Sequence, residues 1–140
     1  SRIKMASGAS AGLSWGSSVF SNTPILVQSN LGVWVDLSGM SISISTEEYG
    51  RVLINAIIEM FLTRYDPGTG ELVCRLLRND TVVAYLNSSS YVSNIAFINW
   101  VDTTPVNGTS VYKIQYYCHL TGGVSASIRT RAMSALVYYR

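Results

Sequence analysis

Residues 45–63 read STEEYGRVLINAIIEMFLT, and whether they form a helix or a strand decides the fold. Ser45-Thr46-Glu47-Glu48 has the form of a capping box, in which a hydroxyl and a carboxylate satisfy amides at the start of a helix. Tyr49, Val52, Leu53, Ala56, Ile57, Met60 and Phe61 follow at helical spacing. Against a helix stand Gly50 and the β-branched side chains of Val52, Ile54, Ile57 and Ile58, which lose rotamer freedom on a helix. Every even position from Val52 to Leu62 is apolar, as a strand with one core face requires. A strand over 51–63 is therefore the preferred reading, with a helix over 47–63 as its rival. In the strand, the other side carries Leu53, Ile57 and Phe61 around Asn55 and Glu59. Such a strand is apolar on both sides, so something must cover its outer face.

The flanking sequence is β in character. On the C-terminal side, Tyr112, Ile114, Tyr116, Cys118 and Leu120 alternate with Lys113, Gln115, Tyr117 and His119, the cleanest period-two stretch in the chain. On the N-terminal side, Met40, Ile42 and Ile44 alternate with Ser41, Ser43 and Ser45. Reversals are expected at Asp66-Pro67-Gly68-Thr69-Gly70, at Asn79-Asp80, at Asn107-Gly108 and at Gly122-Gly123. The predicted strands are 24–28, 33–36, 39–45, 51–63, 71–78, 81–86, 92–101, 110–120 and 131–139. Eight to nine short strands with turn signals between them describe an all-β sandwich or barrel. Residues 1–22, rich in Ser, Gly and Ala between 6 and 22, form an expected N-terminal arm, leaving 23–140 as the domain proper. Trp15 and Phe20 are the expected anchors of that arm, on a neighbour or on the domain's own flank. An ordinary ordered edge strand is the equal alternative.

Composition points toward an assembly. The 140 residues are 48% hydrophobic but only 13% charged, against roughly 25% charged in an average soluble domain. A solitary domain needs more charge than that to keep its surface free of apolar patches. The net charge of +2 is spread over single Arg and Lys residues with no basic run, so there is no nucleic-acid footprint. Eight of the ten cations are Arg, a bias found at protein interfaces. No apolar run approaches the ~18 residues that a membrane span needs.

Catalysis is not expected. His119 is the one histidine and faces away from Cys118 on its strand, so no zinc site of the common kinds can be assembled. No Gly-x-Ser-x-Gly elbow accompanies any serine, and Glu47/Glu48 are the only adjacent carboxylates. The loop at 66–71 lacks the alternating acids of a calcium loop. Cys74 and Cys118 read as two buried thiols, with a bridge between them as the alternative. No metal and no cofactor is implied. Nine Tyr and three Trp leave open a sugar-stacking platform, with Tyr65, Tyr85, Tyr91 and Tyr117 as candidate rings.

The stretch Trp100-Val101-Asp102-Thr103-Thr104-Pro105, then Gly108-Thr109 and Tyr112-Lys113-Ile114-Gln115-Tyr116, then Gly122-Gly123 and the closing run 129–139 (RTRAMSALVYY), resembles tumour-necrosis-factor-like and complement-globular-head-like jelly rolls. The likeness is to those found as trimeric structural proteins of viruses and phages, and it covers about residues 24–140. It implies an antiparallel jelly-roll sandwich that assembles with itself, as a trimer, on a virion surface. There the domain would decorate a capsid or form a turret, spike or fibre tip, touching other particle proteins. The expected interface residues are Leu53, Ile57 and Phe61, with Tyr138 and Tyr139 from the last strand. The alternatives are a carbohydrate- or receptor-binding module engaging a host-surface glycan, and an extracellular filament subunit that lends residues 6–22 to the next subunit's sheet.

Overall fold

The computed structural model describes residues 13–27, 33–63, 68–86, 93–122 and 125–139, and among these there is no helix. Nine strands follow in chain order: β1 (Leu13–Ser21), β2 (Ile25–Val27), β3 (Val35–Thr46), β4 (Gly50–Thr63), β5 (Gly68–Arg78), β6 (Thr81–Tyr85), β7 (Ser93–Asp102), β8 (Gly108–Gly122) and β9 (Ser125–Tyr139). Residues 50–63 are a strand, and the helical spacing within them is coincidental. Ser45 does not act as a helix cap: its hydroxyl pairs with that of Thr109 at 3.0 Å, and the Thr46 hydroxyl donates to the Val106 carbonyl at 2.9 Å. The chain turns instead, with Tyr49 at φ 67° and the Gly50 amide donating to the Glu47 carbonyl at 3.0 Å.

The strands form two antiparallel sheets. One runs β1–β9–β4–β7, with β2 also pairing β9, and the other runs β3–β8–β5–β6. β1 and β2 share one edge of β9, β1 pairing with 131–138 and β2 with 126–128. This interleaving of early and late strands over two sheets is the jelly roll. Only β5 and β6 are consecutive in sequence and paired, joined by Asn79 and Asp80 at φ 48° and 67°, the left-handed pair that a two-residue hairpin turn demands. From β2 onward, every other link crosses from one sheet to the other. The reversals expected at 66–70, 107–108 and 122–123 are therefore crossings. Residues 66, 67 and 123 of them lie outside the described residues.

Two irregularities reshape the predicted strands. The predicted segments 33–36 and 39–45 merge into one strand, β3, which begins at Val35 and whose register against β8 slips between Asp36 and Ser41 around Gly39 at φ 80°. β9 begins at Ser125 rather than 131, because a register shift opposite Glu59 lets it turn the corner and continue. Residues 13–21, the described part of the expected arm, are an edge strand on the domain's own flank.

The core lies between the sheets. β4 contributes Val52, Ile54, Ala56, Ile58 and Met60, the even positions of the opening stretch, and β9 contributes Ile128, Met133, Ala135 and Val137. Met40, Ile42, Leu76, Tyr112, Ile114 and Cys118 close it from the other sheet. Each fully buried aliphatic side chain contributes about 2 kcal/mol by removal from water.

Candidate functional site

The odd positions of β4 point out of the sandwich, and register places them among partners of the same kind. One cross-strand row runs Phe20–Ala132–Ile57–Phe97 over β1, β9, β4 and β7. Two residues along, a second row runs Ser18–Ser134–Asn55–Asn99, and two further a third runs Gly16–Leu136–Leu53–Val101. Two apolar rows thus flank a polar one. Phe20 is 65% exposed, Ile57 49%, Phe97 46% and Ile95 45%, so this chain alone leaves them wet. Small side chains at Ala132 and Ser134 sink the middle of the sheet between Phe20 and Ile57, leaving an open depression of about 310 Å³.

Gly16 leaves room for its neighbours on this face: a Cβ there would stand 2.5 Å from Leu136 Cδ2, which would have to move, and 3.0 Å from the Ala135 carbonyl oxygen. Charge is confined to the ends of the face. Arg51 pairs with Tyr138 at one end, and Glu59 lies opposite the β9 irregularity at the other. There the Arg129 guanidinium also stacks on the Phe61 ring, 4.2 Å from its centroid.

The residues expected at an interface divide accordingly. Leu53, Ile57, Phe61 and Tyr138 share the outer face with Phe20. Tyr139 does not, since successive residues of a strand face opposite ways. Its ring meets Trp15 at 6.2 Å between centroids, and its hydroxyl accepts the Glu47 amide at 2.9 Å. Trp15 packs against the core of its own domain. Phe97, Ile95, Val101 and Leu136 were not expected on this face. The signal was present in 95–101, where apolar residues occupy both parities just as they do in β4.

The outer face of the four-stranded sheet is different, carrying Ser41, Ser43, Ser45, Glu71, Lys113, Gln115 and exposed His119. Among the described residues, no group of three His, Cys, Asp or Glu could hold a metal ion. Cys74 and Cys118 are both buried thiols and are not joined to each other. Tyr65 and Tyr91 lie outside the described residues.

No family model matches the chain, and no curated protein does. Solved structures similar to it include the crystal structure of FLHE, at 14% identity over 91% of this chain and 100% of that one, with a TM-score of 0.27. A similarity at that score carries no argument.

Proposed function

We propose that this domain is a non-catalytic building block of a homo-oligomer, a trimer mounted on a virus or phage particle, whose copies pack through the outer face of the β1–β9–β4–β7 sheet. The observation that carries this reading is the pair of apolar rows through Ile57 and Leu53, on either side of an uncharged Ser/Asn row, on the outer face of a sheet, with Phe20, Ile57, Phe97 and Val101 exposed. Isolated exposed apolar residues are ordinary on monomers, but contiguous patches of this kind mark contact surfaces. A second copy is the occupant that the face's own chemistry fits. Its centre is uncharged, and its polar row of Ser and Asn offers donors and acceptors that identical rows can satisfy. The chain's 13% charge content supports the same reading, as does Leu13–Ser21 filling the edge of its own sheet, where a strand-donating filament would hold a neighbour's segment. The jelly-roll strand order accords with a particle-surface role, though many functions use that fold.

Light scattering coupled to size exclusion tests the proposal. The expected mass is about three times 15.3 kDa, collapsing to one copy in an Ile57→Asp, Phe97→Ser double variant. A wild-type chain that stays monomeric at high concentration would overturn it.

A further inference from the structure

On the opposite sheet, a second surface has the makings of a ligand site. A cross-strand row runs Asp36–Gln115–Arg75–Tyr85 over β3, β8, β5 and β6. Arg75 donates from Nε and Nη2 to Gln115 Oε1 at 3.0 and 2.8 Å, and Gln115 Nε2 donates to Asp36 Oδ1 at 2.8 Å. The guanidinium carbon lies 4.0 Å from the centroid of the Trp34 ring, contributed by the residue just before β3. Tyr117 and Tyr85 flank that ring at 5.5 and 6.1 Å, tilted by 39° and 59°. A flat cation, its orientation held by a planar amide, thus stacks on the central one of three clustered rings, and Tyr85 remains 57% exposed.

We infer that this platform binds a neutral oligosaccharide, one pyranose lying on the Tyr85 ring with its hydroxyls directed to Arg75 and the next sugar along the row reaching Asp36, three strands from Tyr85. Aromatic faces match the C–H face of a sugar ring, while the hydroxyls need donors and acceptors fixed at its rim. Arg75 supplies the donor, since Nη1 makes no hydrogen bond among the described residues. Asp36 supplies the acceptor, its carboxylate being largely exposed. The glycan is neutral because the local charges sum to zero: the two cations, Arg75 and Lys113, stand beside two carboxylates, Asp36 and Asp80, which Lys113 bridges at 3.3 and 3.0 Å. The side chains are pre-ordered by their mutual contacts, which lowers the entropic cost of binding. The site lies on the sheet opposite the assembly face and does not depend on that face being occupied.

The test uses the whole chain on an array of neutral hexose and N-acetylhexosamine oligosaccharides. It is followed by solution titration of the best binder, monitored by tryptophan fluorescence and calorimetry. Wild type is expected to bind at least one neutral oligosaccharide with a change in tryptophan emission. Tyr85→Ala should weaken that binding at least tenfold, and Arg75→Lys, which keeps the charge but not the planar fork, should weaken it similarly. Ile57→Asp, on the other sheet, should leave affinity per site unchanged. Absence of binding to every neutral glycan, binding to acidic glycans alone, or affinity that survives both Tyr85→Ala and Arg75→Lys would overturn the inference. A monomer that binds glycan would overturn the assembly proposal and leave this one standing.

Discussion

The Tyr112 hydroxyl donates to Asp102 Oδ2 at 2.6 Å, joining the two sheets through the interior of the sandwich. Asp102, on β7, is 1% exposed and also receives Arg78 Nη1 at 2.7 Å and the Thr104 amide at 3.1 Å. Arg78 belongs to β5 and Tyr112 to β8, so one carboxylate of the five-stranded sheet gathers two strands of the other. Burial and the bond to Asp102 both push the Tyr112 phenol above its ordinary range, keeping it a donor.

Removing that carboxylate should be costly. Asp102→Asn keeps the volume but leaves Arg78 without its charge partner and disturbs four hydrogen bonds. Loss of a buried ion-pair partner costs about 3–5 kcal/mol, whereas Tyr112→Phe should cost about 1–3 kcal/mol. Urea unfolding of both singles and the double should show a double-variant loss smaller than the sum of the singles, because the groups share one network. Strict additivity would mean that the clasp does not act as a unit.

Arg131 is a buried cation, 2% exposed, and carbonyl oxygens hold it. Nη1 donates to Thr23 and Arg129 and Nε donates to Ser38, all between 2.8 and 2.9 Å. Burial lowers its pKa from the ordinary arginine value. Thr23 lies in the β1–β2 link and Ser38 in β3, so this side chain ties the N-terminal edge of one sheet to the other. Arg131→Leu should cost about 3 kcal/mol, since bonds to a charged donor are lost and carbonyls are left buried without it. Arg131→Lys should recover part of that. Hydrogen exchange should show the loss concentrated in β1 and β2; uniform loss of protection would refute the local tie.

Particular residues show what the sequence could and could not reveal. Strand character was legible in 112–120 because alternation there is unbroken, and in 51–63 because every even position is apolar and β-branched residues abound, while apolar residues at 53, 57 and 61 kept a helical spacing in play. It failed in β3, where Leu37 and Met40 both face inward across a bulge at Gly39, so one strand read as two. It failed again at the start of β9, where Ile128 and Arg131 are both buried and the parity resets between them. Sheet partners were harder still, since Asn107-Gly108 marks a bend whether the chain returns to its own sheet or crosses. The assembly face was half visible: β4 declared its second apolar side, but the contribution of β7 depends on register, which local pattern does not encode.

The buried thiols predict a stability that declines in alkali. Burial pushes the Cys74 thiol up to about 12 and the Cys118 thiol up to about 11. In the unfolded chain both ionise near pH ~8.5. Between that value and the folded ones, the unfolded state has released protons that the folded state retains, so stability falls as pH rises. The slope should approach about 1.4 kcal/mol per pH unit for each thiol, and Cys74→Ala should flatten it. Native protein at pH 8 should resist a thiol-specific disulfide reagent, with two thiols titrating after denaturation. Rapid native labelling would contradict the buried placement.

Ile57 and Ile58 are neighbours in sequence on opposite sides of one strand, and the same substitution should separate assembly from folding. Ile58 is fully buried among the core residues of both sheets, so Ile58→Asp places an unpaired charge there and should abolish cooperative unfolding. Ile57 lies on the outer face, so Ile57→Asp should shift the stability of an isolated monomer by about 0.5 kcal/mol or less, while dissociating an oligomer that buries it. Asn55→Leu makes the complementary change, converting the polar row between the two apolar ones into a third apolar stripe. It should broaden the mass distribution toward larger species, because a face without its polar row no longer has one preferred register. Scattering mass and a thermal melt on each variant suffice to check this. An Ile57→Asp chain that keeps the wild-type oligomeric mass, with its melt unchanged, would move the contact surface off this sheet.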